Sequence, residues 1–135
     1  MVIYRDSLGP VRPDNLHGFF VGWPQPPSPE MHHAVLANSD HLVLAIAEPT
    51  GDVVGFITAI SDGVLSAYIP LLEVLPTYQR QGIGSELVRR MLHQLGGLYA
   101  VDLLCDPELQ SFYARLDMTP ATGMRIRRHA RASRL

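Results

Sequence analysis

The sequence predicts one domain of mixed α/β class, built on a single sheet that is antiparallel at first and parallel later. Length and composition fit this class, because 135 residues with 47% hydrophobic content can form a core without a metal or a disulfide. Residues 41–75 alternate apolar runs with turn signals, which predicts an antiparallel meander. Residues 64–117 follow the order strand, helix, strand, helix, so those two strands should be parallel and joined by a right-handed crossover.

Two short helices are predicted before the meander. The first lies over residues 14–20, where apolar side chains share one face. A loop over residues 22–29 follows, and its four prolines make it stiff and extended. The second helix starts after Ser28, which suits the N-cap position, and Pro29 suits the first helical position. We expect it to run to about Ala37.

Three strands are predicted next, over residues 41–47, 53–60 and 64–75. The first is a nearly continuous apolar run, residues 48–52 have turn composition, and Asp62-Gly63 is a strong hairpin signal. The repeat of the apolar residues then changes from two residues to about 3.6 residues, which predicts a helix over 83–95. The elements predicted after it are a buried strand over 99–105, a helix over 106–117 and a final strand over 122–128.

Composition and motif spacing exclude several classes of protein. The formal net charge is −2, which argues against a general nucleic-acid binder. The one cysteine, Cys105, cannot form an internal disulfide, and no apolar run or N-terminal leader suggests a membrane, so we expect a cytoplasmic protein. All 11 basic residues are arginine, which excludes a Walker A lysine or a Schiff-base lysine. Because no motif has the spacing of metal ligands, we expect no metal site.

The loop between the third strand and the long helix is the candidate site for an anion. Gly82 and Gly84 would expose backbone N–H groups at a helix start, where the helix dipole attracts phosphate, and Arg80 adds a full positive charge. An ordinary turn, whose glycines only permit tight geometry, is the alternative. A dinucleotide fingerprint is excluded because Leu87 stands where it requires a third glycine.

Residues 79–84, with the sequence Gln-Arg-Gln-Gly-Ile-Gly, resemble the loop motif of the GNAT superfamily of acetyl-CoA-dependent N-acetyltransferases. Residues 72–76 resemble the fourth strand of that family, and residues 111–116 resemble its last helix. The resemblance implies a single-domain fold with helices on both faces of the sheet and a splayed parallel pair at strands 4 and 5. It also implies acetyl-CoA as co-substrate, and a pyrophosphate cradle made of Gln79, Arg80, Gln81, Gly82, Ile83, Gly84 and Ser85.

The same resemblance implies roles for three further residues. The backbones of Leu72 and Val74 would pair with the pantetheine arm, and Tyr113 would contact the cofactor and protonate the departing thiolate. Without the resemblance, a core aromatic on the apolar stripe of its helix is the favoured interpretation of Tyr113. Glu73, a lone carboxylate in an apolar strand, is the candidate general base and acceptor contact. A chain of waters could replace Glu73 as the general base. The alternative interpretation of Glu73 is a carboxylate on a solvated edge of the sheet.

Trp23 and Tyr68 are candidates to line the pocket of the amine acceptor, a small molecule or a peptide. We therefore expect an N-acetyltransferase over residues 1–135, with 128–135 as a flexible basic tail. A non-catalytic module that binds acyl-CoA is the alternative function. The arginines near the C-terminus could bind nucleic acid, but a solvated face is favoured, so we expect no nucleic-acid partner. The exposed edge of the meander is compatible with a homodimer.

Overall fold

The computed structural model describes residues 1–131, which form a single domain around one five-stranded sheet. The strands lie in the sheet in chain order, and only β4 and β5 are parallel, while every other neighbouring pair is antiparallel. The predicted meander followed by a parallel pair is therefore confirmed. The strands are β1 (Val2–Arg5), β2 (His41–Ala47), β3 (Asp52–Ser61), β4 (Ser66–Val74) and β5 (Ala100–Leu103).

Three α-helices and four short 3-10 turns complete the domain. Ser28 caps the first helix as predicted, since its Oγ accepts a hydrogen bond from the Met31 N–H at 3.1 Å. The helices are α1 (Pro29–Asn38), α2 (Ile83–Gln94) and α3 (Gln110–Ala114). The 3-10 turns are Pro13–Asn15, Pro76–Tyr78, Pro107–Leu109 and His129–Arg131.

The sheet is covered on both faces, as expected, and each face has its own apolar core. Val43 and Ile57 point to one face, where they pack in a core with Leu87 and other residues of α2. Their strand neighbours point to the opposite face, where Phe56 lies in a second core that includes Leu36 of α1. This two-sided burial explains the continuous apolar run of β2, because alternate residues on both faces must be hydrophobic.

One polar ring lies inside the second core. His32 of α1 is 1% exposed, and its ring contacts those of Phe19, Phe20 and Phe56 at centroid distances of 4.4 to 5.2 Å. Neither ring nitrogen has a hydrogen-bond partner among the described residues. Burial, with a smaller effect from neighbouring His33, lowers the pKa of His32 from 6.5 to about 4. The ring is therefore neutral at physiological pH.

Two predicted elements are wrong. The helix expected over residues 14–20 is only the 3-10 turn Pro13–Asn15, because Gly18 and Phe20 both take left-handed backbone conformations that break a helix. The segment over 122–128, expected to be the final strand, has no regular secondary structure and no partner in the sheet, so β5 is an edge strand. Met124 in this segment is 97% exposed. The segment therefore has no buried face, and burial of one face is what sets the register of a strand.

Smaller differences concern the ends of elements. The strand β1 is missing from the sequence prediction, because four residues paired with the edge of β2 carry too short a pattern. The helix expected over 106–117 consists of a 3-10 turn followed by the five-residue α3. Of the predicted basic tail, residues 129–131 form a 3-10 turn, and residues 132–135 lie outside the described part of the chain.

Candidate functional site

A cleft opens where β4 and β5 separate. The two strands pair only from Ser66 opposite Ala100 to Ile69 opposite Leu103, while β4 continues to Val74. Pro70 stands at the point of divergence, and proline has no N–H to donate to a neighbouring strand. The cleft has a volume of about 680 Å³. The predicted splay of strands 4 and 5 is thus present, and the cleft lies between them.

The unpaired part of β4 presents backbone groups to this cleft. The Leu75 N–H donates to the Val54 carbonyl of β3 at 2.8 Å, and antiparallel pairing alternates between bonded and non-bonded positions. In this register Glu73 bonds to β3, whereas Leu72 and Val74 turn their N–H and C=O groups away from it. The Val74 carbonyl accepts a hydrogen bond from Gln79 Nε2 at 3.0 Å. Leu72 therefore offers both backbone groups to a ligand, and Val74 offers its N–H.

Six of the predicted site residues lie together in the cleft, and seven lie beside it. Those that line it are Trp23, Tyr68, Leu72, Glu73, Gln79 and Tyr113. Those that do not are Val74, Arg80, Gln81, Gly82, Ile83, Gly84 and Ser85. Apart from Val74, which ends β4, the second group continues from Gln79 along the loop into the first turn of α2, so Gln79 joins this loop to the cleft.

The loop before α2 has the backbone geometry of an anion cradle. Arg80 and Gly82 both have positive φ angles, of 65° and 84°. Gly82 is the N-cap of α2 and no side chain caps this helix, so the N–H groups of Ile83, Gly84 and Ser85 have no acceptor within the helix. A Cβ atom built on Gly82 would meet nothing within 4 Å. This turn therefore has open space and free donors for a phosphate group.

Tyr113 is placed in the cleft by α3. Its ring meets that of Phe112 edge to face at a centroid distance of 4.9 Å, and Phe112 packs against the core on the α2 side. Burial, together with a smaller effect from the nearby Cys105 thiol, raises the pKa of the Tyr113 phenol from 10 to about 12. The phenol therefore keeps its proton at physiological pH and can act as a hydrogen-bond or proton donor.

Glu73 holds a neighbouring loop as well as lining the cleft. Its Oε1 accepts a hydrogen bond from the Phe20 N–H at 2.8 Å, and its Oε2 accepts one from the Val21 N–H at 3.3 Å. Because Phe20 has a φ of 63°, this carboxylate also stabilises an unfavourable backbone conformation. Trp23 follows on the same loop, with its ring 5.0 Å from that of Phe20. Glu73 thereby positions one predicted wall of the acceptor pocket.

Sequence reasoning missed several residues of the cleft. Cys105 and Asp106 line it, although the sequence analysis assigned neither of them to the site. Asp106 stands at the N-cap of a 3-10 turn, but its side chain makes no capping bond. Arg125 and Arg127 also line the cleft. Their i, i+2 spacing was the available signal, since residues two apart share a side in the strand that was predicted there.

Comparison with known proteins assigns the family. Residues 9–118 match the model of the acetyltransferase (GNAT) family, which is most of the chain. This chain belongs to the GNAT family. A curated relative, GCN5-related N-acetyltransferase 1, chloroplastic, from Arabidopsis thaliana, is 31% identical over 107 residues. The alignment covers 76% of this chain and 54% of that protein, so the GNAT chain spans about half the length of its relative.

Solved structures agree with the family assignment. A candidate acetyltransferase from Deinococcus radiodurans R1 is 45% identical, with a TM-score of 0.94 over 98% of this chain and 92% of that one. A GNAT-family acetyltransferase from Streptococcus pneumoniae TIGR4 is 31% identical, with a TM-score of 0.76 over 95% of this chain and 98% of that one. The mixed sheet with its single parallel pair is therefore the GNAT fold.

Residues 1–131 hold neither a cluster of metal-ligating side chains nor a membrane-spanning helix. No three His, Cys, Asp or Glu side chains within 1–131 come together as metal ligands would. In the same range, no helix has the combined length and hydropathy needed to cross a bilayer.

Proposed function

We propose that this GNAT chain transfers an acetyl group from acetyl-CoA to a primary amine by direct attack in a ternary complex. The observation that supports this most strongly is the cleft itself. Unpaired backbone groups of β4 and a protonated phenol on α3 lie at one opening in the sheet, and the loop that begins at Gln79 leads from it to an uncapped helix start. These are the groups needed to hold a thioester, stabilise its carbonyl oxygen and protonate its leaving group.

Acetyl-CoA fits the chain as a substrate at two places. The free N–H groups at the start of α2 would bind the pyrophosphate, with Arg80 supplying positive charge. The backbone groups of Leu72 and the N–H of Val74 would hydrogen-bond the pantetheine arm, as a strand would. The Gln79 side chain bonded to the Val74 carbonyl links these two places, because it fixes the loop to the end of β4.

The reaction then needs one proton donor and one proton acceptor. The amine nitrogen attacks the carbonyl carbon, a C–N bond forms, and the C–S bond breaks. The departing thiolate takes the proton of the Tyr113 phenol, which burial keeps protonated. The attacking amine must lose a proton, and Glu73 accepts it either directly or through a bound water. Because both Glu73 oxygens already accept backbone N–H bonds, the route through a water needs less rearrangement.

The acceptor would enter from the side of the cleft walled by Trp23 and Tyr68, which are 43% and 37% exposed. Partly exposed aromatic rings at the mouth of a cleft suit an amine, because they combine apolar area with attraction for a cation. A cytoplasmic location and a homodimer stay predictions from the sequence. A cytoplasmic location agrees with acetyl transfer, because this reaction needs no oxidising compartment.

The test is to measure acetyl-CoA binding by calorimetry and CoA release with a thiol reagent against a panel of amines. Tyr113→Phe removes only the phenolic hydroxyl, so it should lower kcat by about 10²- to 10⁴-fold. Its affinity for acetyl-CoA should stay within about twofold of the unmodified protein, since hydrogen bonds from backbone groups are retained.

The outcomes separate the two candidate functions. Turnover that depends on Tyr113 supports acetyl transfer. Tight acetyl-CoA binding without turnover for any amine would contradict it and identify the chain as an acyl-CoA-binding module. Equal losses of rate and affinity in Tyr113→Phe would refute the role given to the phenol, while leaving the overall reaction in place.

A further inference from the structure

One wall of the cleft is made by the chain after α3, which has no regular secondary structure. Within this segment Gly123, Met124, Arg125 and Arg127 line the cleft. A glycine at 123 lets the segment pass close to the end of β5, because an added Cβ would clash with Leu104 Cδ2. The segment therefore runs beside Leu104, the residue that follows β5.

The two arginines on this wall have unused binding capacity. Arg125 and Arg127 lie two residues apart, and both line the cleft. Within residues 1–131 the ion pairs join Arg89 and Arg90 to Glu86 on α2, and neither wall arginine takes part in one. Each guanidinium offers a planar set of N–H donors whose geometry matches a carboxylate or a phosphate.

The same cleft carries charge of the other sign. Glu73 and Asp106 line it, and carboxylates attract an ammonium group. The cleft therefore offers both positive and negative groups. A simple monoamine would use the negative side alone and leave two guanidinium groups without a partner. A molecule with an amine at one end and an anion at the other would use both.

We propose that the acceptor of this protein is an amine that also carries an anionic group, a carboxylate or a phosphate, bound by Arg125 and Arg127. This rests on the acetyl transfer proposed above. It adds the class of acceptor and names two specificity-determining residues that lie outside the acetyl-CoA cradle. The amine is directed towards Glu73 and the thioester, while the two arginines hold the anion at the segment after α3.

The experiment compares matched amines at fixed, saturating acetyl-CoA. Alanine is paired with alaninamide, and O-phosphoethanolamine is paired with ethanolamine, so that each pair differs in the anion. An amide group makes the neighbouring amine less basic and more often unprotonated, so a preference for alanine over alaninamide would not come from amine reactivity. We expect kcat/KM to favour the anionic member by about tenfold or more, as for hydrogen bonds to a charged group. The pair with the larger ratio shows which anion is preferred.

Variants then place the effect on the two arginines. Arg125→Gln and Arg127→Gln should each raise KM for the anionic amine by about tenfold and leave kcat and the KM for acetyl-CoA nearly unchanged. Arg128→Gln is the matched control, because Arg128 belongs to the same exposed segment but does not line the cleft. It should behave as the unmodified protein does.

The results distinguish failure of this inference from failure of the proposed function. Turnover with equal kcat/KM for both members of each pair, or a rise in the acetyl-CoA KM in the arginine variants, would overturn the inference alone. No CoA release with any amine would contradict acetyl transfer itself. If a variant is suspected of misfolding, an unchanged acetyl-CoA affinity by calorimetry establishes that the fold is intact.

Discussion

The buried ring of His32 makes a quantitative prediction about stability and pH. The ring is neutral in the folded protein, with a pKa of about 4 against 6.5 for a solvated imidazole. The unfolded chain therefore binds a proton more readily than the folded chain, and folding stability falls as the pH falls from the unfolded value towards the folded value. The full difference corresponds to about 3 kcal/mol, most of which should be lost by roughly pH 4.5.

The perturbation is His32→Leu, which replaces the imidazole with an apolar side chain of similar size that does not titrate. Urea unfolding at about pH 7 and about pH 4.5 gives the free energy of unfolding in each protein. The unmodified protein should lose about 2 to 3 kcal/mol more between the two conditions than His32→Leu does. Carboxylates that titrate in the same range contribute to both proteins and cancel in this comparison.

His17→Gln is the matched control, because His17 is exposed and its replacement should leave the pH dependence as it is. A difference below about 0.5 kcal/mol between His32→Leu and the unmodified protein would refute the reasoning, since it lies within the range of ordinary surface substitutions. Such a result would mean that a water or a backbone shift satisfies the ring nitrogens. Titration of the His32 ring protons by NMR measures the same pKa directly.

Two further predictions concern the site. Gly82→Ala should weaken acetyl-CoA binding and cost about 1 kcal/mol of stability, because alanine is strained at a φ of 84°; calorimetry and urea unfolding measure both. Gly97→Ala is its control, since Gly97 has no positive φ and open space around it, and an equal effect at both glycines would count against the cradle. Glu73→Gln should leave one carbonyl oxygen for two backbone donors, so the Phe20 and Val21 amides should exchange with solvent faster by hydrogen-exchange mass spectrometry. Unchanged exchange would show that Glu73 does not hold the loop.

Elements fixed by local pattern were predictable from the sequence. The strand over His41–Ala47 has the bounds that its apolar run predicts, because both of its faces are buried. The helix start after Ser28 was equally clear, since the cap is a contact between residues three apart. The tight turn before α2 was predictable because glycines stand at the start of a predicted helix. Gly82 takes a left-handed conformation at the N-cap, as a tight turn permits.

Features that depend on distant contacts were not predictable in this way. The conformation of Phe20 is held by Glu73, 53 residues further along the chain, and no local pattern could have replaced the predicted helix with this loop. The bond between Gln79 and the Val74 carbonyl depends on where β4 leaves β5. The place of Arg125 and Arg127 in the cleft depends on a segment that does not join the sheet, although its composition resembles that of a strand.

The segment over residues 119–128 contributes to the cleft without contributing to either core, since almost all of it is exposed. Substitutions on such a surface usually change folding stability by less than about 0.5 kcal/mol. The acetyl donor, in contrast, would be held by backbone groups of a strand and a helix that any change of side chain leaves in position. Evolution could thus redirect this scaffold towards new amines through a few exchanges near its C-terminus, while the machinery that activates the thioester stays as it is.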